Sequence, residues 1–175
     1  MHPSGGSLPG RPDEVVRDSM SPAASSLPPV QDEATRDSML VVVSQFALSK
    51  GNTLLRAADA TKRSDAFQLA LQFLSLADSI APTIQSRFLV GVAALGVANA
   101  DISEAASANV SDGRCGTLAG SQPMLQLARS SLQSGREVAP DATDQYLTFL
   151  DRLDSFVAGQ MSSVCSSVGG GTSGW

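Results

Sequence analysis

Histidine occurs once in this chain, at His2 in a Pro- and Gly-rich first stretch, so a Ser-His-Asp or Cys-His arrangement has no imidazole to draw on elsewhere. The acid–base candidates are carboxylates. Asp151 and Asp154 stand one helical turn apart and Asp141 and Asp144 shortly precede them, but carboxylates on the polar side of an amphipathic helix are ordinarily just solvated. Gly113, Gly116 and Gly120 lack the following Lys-Ser or Lys-Thr of a phosphate-cradling loop and follow no strand pattern. Asn109-Val110-Ser111 satisfies a glycosylation sequon, which carries weight only in a secreted eukaryotic protein. These residues predict no catalytic group, metal or cofactor, and hence a protein that is not an enzyme.

The cysteines offer the most definite chemistry. Only Cys115 and Cys165 are present, and without further Cys or His they cannot make a four-ligand zinc site. A disulfide or two unrelated thiols are the alternatives. We favour the disulfide because both residues lie in Gly- and Ser-rich sequence with little else to hold it down. Closing such a loop would contribute roughly 3–4 kcal/mol through the unfolded state. It would also place the protein in an oxidising compartment, periplasmic or extracellular; free thiols would suit the cytoplasm instead.

Composition narrows the partners. A formal net charge of -5, with no basic cluster denser than Lys62-Arg63, argues against nucleic acid and against an anionic membrane surface. The longest uncharged apolar run, Phe88 to Ala98, is much shorter than the ~20 residues of a spanning helix, so a buried helix is expected there. Residues 1–31 show no basic stretch followed by an apolar one, hence no visible signal peptide.

The elements that must position these residues read as helices. Residues 1–31 hold six of the nine prolines and are expected to form a disordered or extended arm. Within the arm, Asp13, Glu14, Arg17, Asp18, Ser19 and Met20 return as Asp32, Glu33, Arg36, Asp37, Ser38 and Met39. A first helix is expected from Asp32 to about Ala58, with Met39, Val43, Phe46, Ala47, Leu54 and Ala58 on its inner face. A second runs from Asp65 to Pro82, capped by Ser64 or Asp65, and a third from Thr83 to Asn99 or Ala106, apolar on nearly all sides. Ala108 to Gly120 reads as a long loop, pinned or functional. A fourth helix follows from Gln122 to Ala139, with Pro123 in its first turn and Leu125, Ala128, Leu132 and Val138 inward. A fifth, capped by Asp141, carries Tyr146, Phe149, Leu150, Leu153, Phe156 and Val157 in a stripe and lasts to about Cys165. The tail, 166–175, is expected to be flexible.

Ala70, Leu74, Ala77 and Pro82 recur, with the same offsets, as Ala128, Leu132, Gly135 and Pro140. Small residue, larger apolar residue, small residue and proline at these offsets resemble the second helix of tetratricopeptide repeats (TPR). Gly51 and Gly91 are similar to the small residue of that family's first helix. The separations from Gly51 to Ala70 and from Gly91 to Ala128 exceed the family's, and Ala47 and Arg87 stand where its large aromatic is usual. The resemblance implies an all-α, TPR-like domain over 32–165, built of two irregular antiparallel hairpins and a C-terminal capping helix. It further implies a non-enzymatic scaffold for other protein subunits, an accessory or structural part of a larger assembly, envelope-associated if the cysteines pair. Exposed positions on the first helices, Gln45, Lys50, Asn52, Gln85 and Arg87, would then line the partner-binding groove. A competing reading is a small bundle carrying an apolar ligand, walled by Phe67, Phe73, Phe88, Phe149 and Phe156.

Overall fold

The structure, a computed structural model, describes residues 33–108 and 111–165. The expected arm and tail, and the first two residues of the sequon, lie outside the described residues. The fold is all-α: α1 (Glu33–Thr61), α2 (Ser64–Ile80), α3 (Ile84–Ser107), α4 (Ser111–Ser134) and α5 (Pro140–Gln160), with no strand among the described residues. A short 3-10 turn (Gly135–Glu137) leads into α5, and a π-helical turn (Met161–Cys165) follows it. Successive helices pack on one another, while α3 also touches α1 and α5.

Small residues set the helix spacing. A Cβ on Gly51 would lie 2.7 Å from Leu74, and one on Gly91 would lie 2.8 Å from the Leu132 side chain and 2.9 Å from its backbone nitrogen. Leu74 and Leu132, the matching members of the sequence echo, are thus each received by a glycine of the preceding helix. Ala70, Ala77 and Ala128 are wholly buried beside them. Such contacts let helix backbones approach more closely than larger side chains would permit. Two buried clusters result and meet through Leu71, Met124 and Leu127: one around Leu55, Phe67, Leu74 and Val90, the other around Leu118, Leu125, Leu132 and Leu150.

The buried face of α1 differs from the expected one. It consists of Ser44, Ala47, Gly51, Leu55 and Ala58, whereas Met39, Val43 and Phe46 are exposed. Close approach selects small residues here, and Ser44 satisfies its hydroxyl by donating to the Ala77 carbonyl at 3.1 Å.

The turns follow local chemistry. Lys62 ends α1 at φ 57, and its amide bonds to the Ala58 carbonyl at 2.8 Å, an αL termination in a position glycine would occupy without strain. Neither Ser64 nor Asp65 caps α2; the N-cap residue is Arg63, which makes no side-chain cap bond. At the α3 entrance Thr83 and Ser86 form a reciprocal capping box, and the Ser86 hydroxyl donates to Asp78 Oδ1 at 2.5 Å, tying the end of α2 to the start of α3. Pro140 occupies the first turn of α5, where its missing N–H costs nothing; Asp141 lies in that turn and is not the cap.

The expected loop at 108–120 is mostly helix. Packing overrides glycine's poor propensity: Leu118, Ser121 and Leu125 are buried, whereas a Cβ at Gly113, Gly116 or Gly120 would meet nothing within 4 Å. Pro123 consequently lies well inside α4 rather than in its first turn, on the exposed side. Val138, expected inward, is 59% exposed because the helix has already given way to the 3-10 turn.

Candidate functional site

A largely apolar concavity of about 480 Å³ lies between α1, α3 and α5. Its floor is apolar: Leu55, Phe67, Leu95 and Gly96, the last abutting the Phe67 ring. Phe88, Leu89, Val92, Tyr146 and Phe149 form the walls. Phe88 and Tyr146 meet edge to face, their ring centroids 5.9 Å apart, which fixes α3 against α5 at this point. Arg56, Asp59, Lys62 and Asn99 supply the polar edge.

Helical periodicity explains this assembly. Phe88, Leu89, Val92, Leu95, Gly96 and Asn99 recur every three or four residues along one side of α3, as do Leu55, Arg56 and Asp59 on α1 and Tyr146 and Phe149 on α5. Lys62 is held at the edge by an ion pair with Asp59. Arg56 is exposed and makes no ion pair among the described residues. The site therefore offers aromatic and aliphatic surface, one unengaged guanidinium and an amide. That combination can hold an apolar side chain beside a hydrogen-bond acceptor. A wider polar depression, lined by Arg63, Asp65, Gln68, Asp101 and Glu104 among others, adjoins it beyond Lys62.

None of the five positions expected to bind a partner lines the cavity. Asn52 and Gln45 precede Arg56 by one and three turns on the same face of α1, and Gln85 precedes Leu89 by one turn on α3, but the cavity does not reach them. Lys50 lies on another face of α1. Arg87 turns toward the end of α2, with its Nε 3.9 Å from Asp78 Oδ1. Of the five phenylalanines, Phe67, Phe88 and Phe149 line the cavity; Phe73 and Phe156 do not. The residues missed, Arg56, Leu89, Val92, Asn99 and Tyr146, carry a signal only in retrospect: the solvent side of an otherwise buried α3 keeps the helical period.

Three of the four acidic candidates, Asp144, Asp151 and Asp154, tie elements together. Arg129 on α4 donates to Asp154 at 2.5 Å and to Asp151 at 2.7 Å on α5, and the bond to Asp154, then that to Asp151, raises the guanidinium above its ordinary range. Arg136 binds Asp144 at 2.8 Å. Cys115 and Cys165 stand at disulfide distance, their Cα atoms 5.5 Å apart, joining the first turns of α4 to the π-helical turn after α5. A cysteine pair so placed fits an oxidising compartment. No group of three or more His, Cys, Asp or Glu able to hold a metal occurs among the described residues. Helix α3 is long and apolar enough to cross a membrane by length and composition, with half of that window buried.

Compared with protein-family models, curated proteins and solved structures, the chain matches none.

Proposed function

We propose that this protein is a non-enzymatic interaction module that receives a segment of another protein in the groove between α1, α3 and α5. The observation carrying this reading is the groove itself, an apolar trough about 480 Å³ in volume with an unengaged Arg56 at its edge. Exposed aromatic and apolar surface edged by polar groups is the usual composition of a recognition site. The equivalent seats of Leu74 and Leu132 support a repeat-like, TPR-like construction, in which the first helix of each pair faces the partner. Because the cysteine pair suits an oxidising environment, we place the protein in the periplasm or outside the cell, as an accessory or structural subunit of an envelope assembly.

Selection of the full chain against a displayed library of random 12-residue peptides, followed by NMR mapping, tests this. Selected peptides should shift the amides of Leu89, Val92, Asn99 and Tyr146, and Arg56→Glu should weaken them at least fivefold. Peptides that map elsewhere, or a library that yields no binder, would contradict the reading.

A second reading has its own support: three phenylalanines and Tyr146 line a cavity of a size that accepts a small apolar ligand. Native mass spectrometry of the protein isolated from its source distinguishes the two. A bound lipid or pigment of fixed mass, displaced by no peptide, would favour the carrier.

A further inference from the structure

The apolar trough continues past its polar edge. Lys62 lines both the trough and the wider depression beyond it, and α3 passes from one to the other, giving Asn99 to the first and Asp101 and Glu104 to the second. Short turns join α1 to α2 and α2 to α3, so α1 and α3 run the same way and define one path from Phe88 to Glu104. Most charges along it cancel: Asp59 pairs with Lys62, and Arg63 with Asp65. Arg56 in the trough and Asp101 and Glu104 in the depression are left over, none in an ion pair among the described residues. Half-buried Asn99 has a side-chain amide with no hydrogen bond among those residues. The surface therefore reads aromatic, cation, anion.

Helix rise sets the intervals. Lys62 borders the same depression as Asp101, so Arg56, six residues earlier on α1, stands about 9 Å back along the path, about level with Leu95. Phe88 precedes Leu95 by seven residues, a further ~10 Å. A β-strand would turn side chains three residues apart to opposite sides, whereas polyproline II brings every third side chain to one side and advances about 9 Å in doing so. On the reading that the groove receives a segment of another protein, on which this inference rests, we propose that the segment is a polyproline II stretch carrying an apolar, an acidic and a basic residue at three-residue intervals. The apolar side chain lies against Phe88 and Tyr146, the carboxylate accepts from the Arg56 guanidinium, and the cation sits over Asp101 and Glu104. Charges so ordered fix the register and disfavour segments with the two signs exchanged.

Repeating the 12-residue peptide selection on the full chain and on two charge variants tests this order. The unaltered protein should enrich an apolar residue, Asp or Glu three positions away, and Lys or Arg three beyond that, in one chain direction. Selection on Arg56→Glu should replace the middle acid by Lys or Arg. Selection on the double variant Asp101→Asn, Glu104→Lys should keep the middle acid and replace the base by Asp or Glu. Arg56 and Glu104 are exposed and Asp101→Asn is isosteric, so both variants keep the fold. A labelled synthetic copy of a selected peptide should bind each variant about fivefold more weakly by fluorescence polarisation, the size of a well-placed exposed ion pair, and the matching charge-swapped peptide should regain that loss. Peptides that map to the groove without this order, or an order unchanged by either variant, would overturn the inference and leave the groove reading standing. Peptides that map elsewhere, or a library without binders, would overturn both.

Discussion

The seat of Leu132 on Gly91 can be tested by making one chemical change at two places. At Gly120, exposed on α4, an added methyl meets nothing within 4 Å and only removes backbone freedom from the unfolded chain. Gly120→Ala should therefore stabilise the protein by about 0.5–1 kcal/mol, the glycine-to-alanine difference within a helix. At Gly91 the same methyl gains the same propensity but lands 2.8 Å from Leu132 Cγ, 2.9 Å from the Leu132 backbone nitrogen and 3.2 Å from the Ala128 carbonyl oxygen. A side-chain end could swing aside; two backbone atoms cannot unless α3 and α4 separate. Overpacking costs about 1–3 kcal/mol, and backbone contact places Gly91→Ala in the upper part of that range. Net of propensity, a loss of about 1–2 kcal/mol is expected. Gly51→Ala should fall between the two, because its closest conflicts are with the Leu74 side chain. Urea unfolding at 25 °C, followed by far-ultraviolet circular dichroism and with m-values compared, measures all three. If Gly91→Ala stabilised the protein as much as Gly120→Ala, the close approach of α3 to α4 would be refuted.

Other expectations concern the turns, the cysteines and one ion pair. Cys115→Ser with Cys165→Ser should lower stability by about 3–4 kcal/mol and, by hydrogen exchange, deprotect residues 111–120 first, where three glycines lack packing partners. Lys62→Gly should stabilise by up to about 1 kcal/mol in the same urea assay, relieving the left-handed backbone of a non-glycine residue. Asp65 titrates below the usual carboxylate range because Arg63 hydrogen-bonds to it at 2.6 Å. Since the folded pKa is depressed, the pair's contribution is complete above the unfolded value near 3.9 and disappears as pH falls through the folded one. Carbon-13 NMR titration should find the Asp65 midpoint moving upward in Arg63→Gln.

Much of the scaffold was readable from residue order. The three-and-four spacing of Ala70, Leu74 and Ala77, and of Ala128 and Leu132, reports a buried helix face directly, and all five are fully buried. Phe149 and Phe156 share the α5 stripe with Leu150 and Val157, yet each stays 41% exposed, because no further helix among the described residues covers that side. Counting apolar residues misplaced the α1 face: small Ser44 and Gly51 are inside while Met39 and Phe46 are outside, and only the approach of α2 distinguishes them. Local propensity misread 108–120 in the same way, since the burial of Leu118 and Leu125 outweighs three glycines. The groove was hidden for a different reason. It exists only where α1, α3 and α5 converge, so no single stretch encodes it, and Arg56 beside Asp59 reads as ordinary helix surface.

One NMR experiment probes the arrangement on which the groove depends. In methyl-labelled, oxidised full-length protein, nuclear Overhauser effects are predicted from the Leu74 methyls to the Gly51 Hα protons and from the Leu132 methyls to the Gly91 Hα protons. Observing both would establish matched seats in the two helix pairs; the absence of either, with both resonances assigned and sharp, would contradict the account.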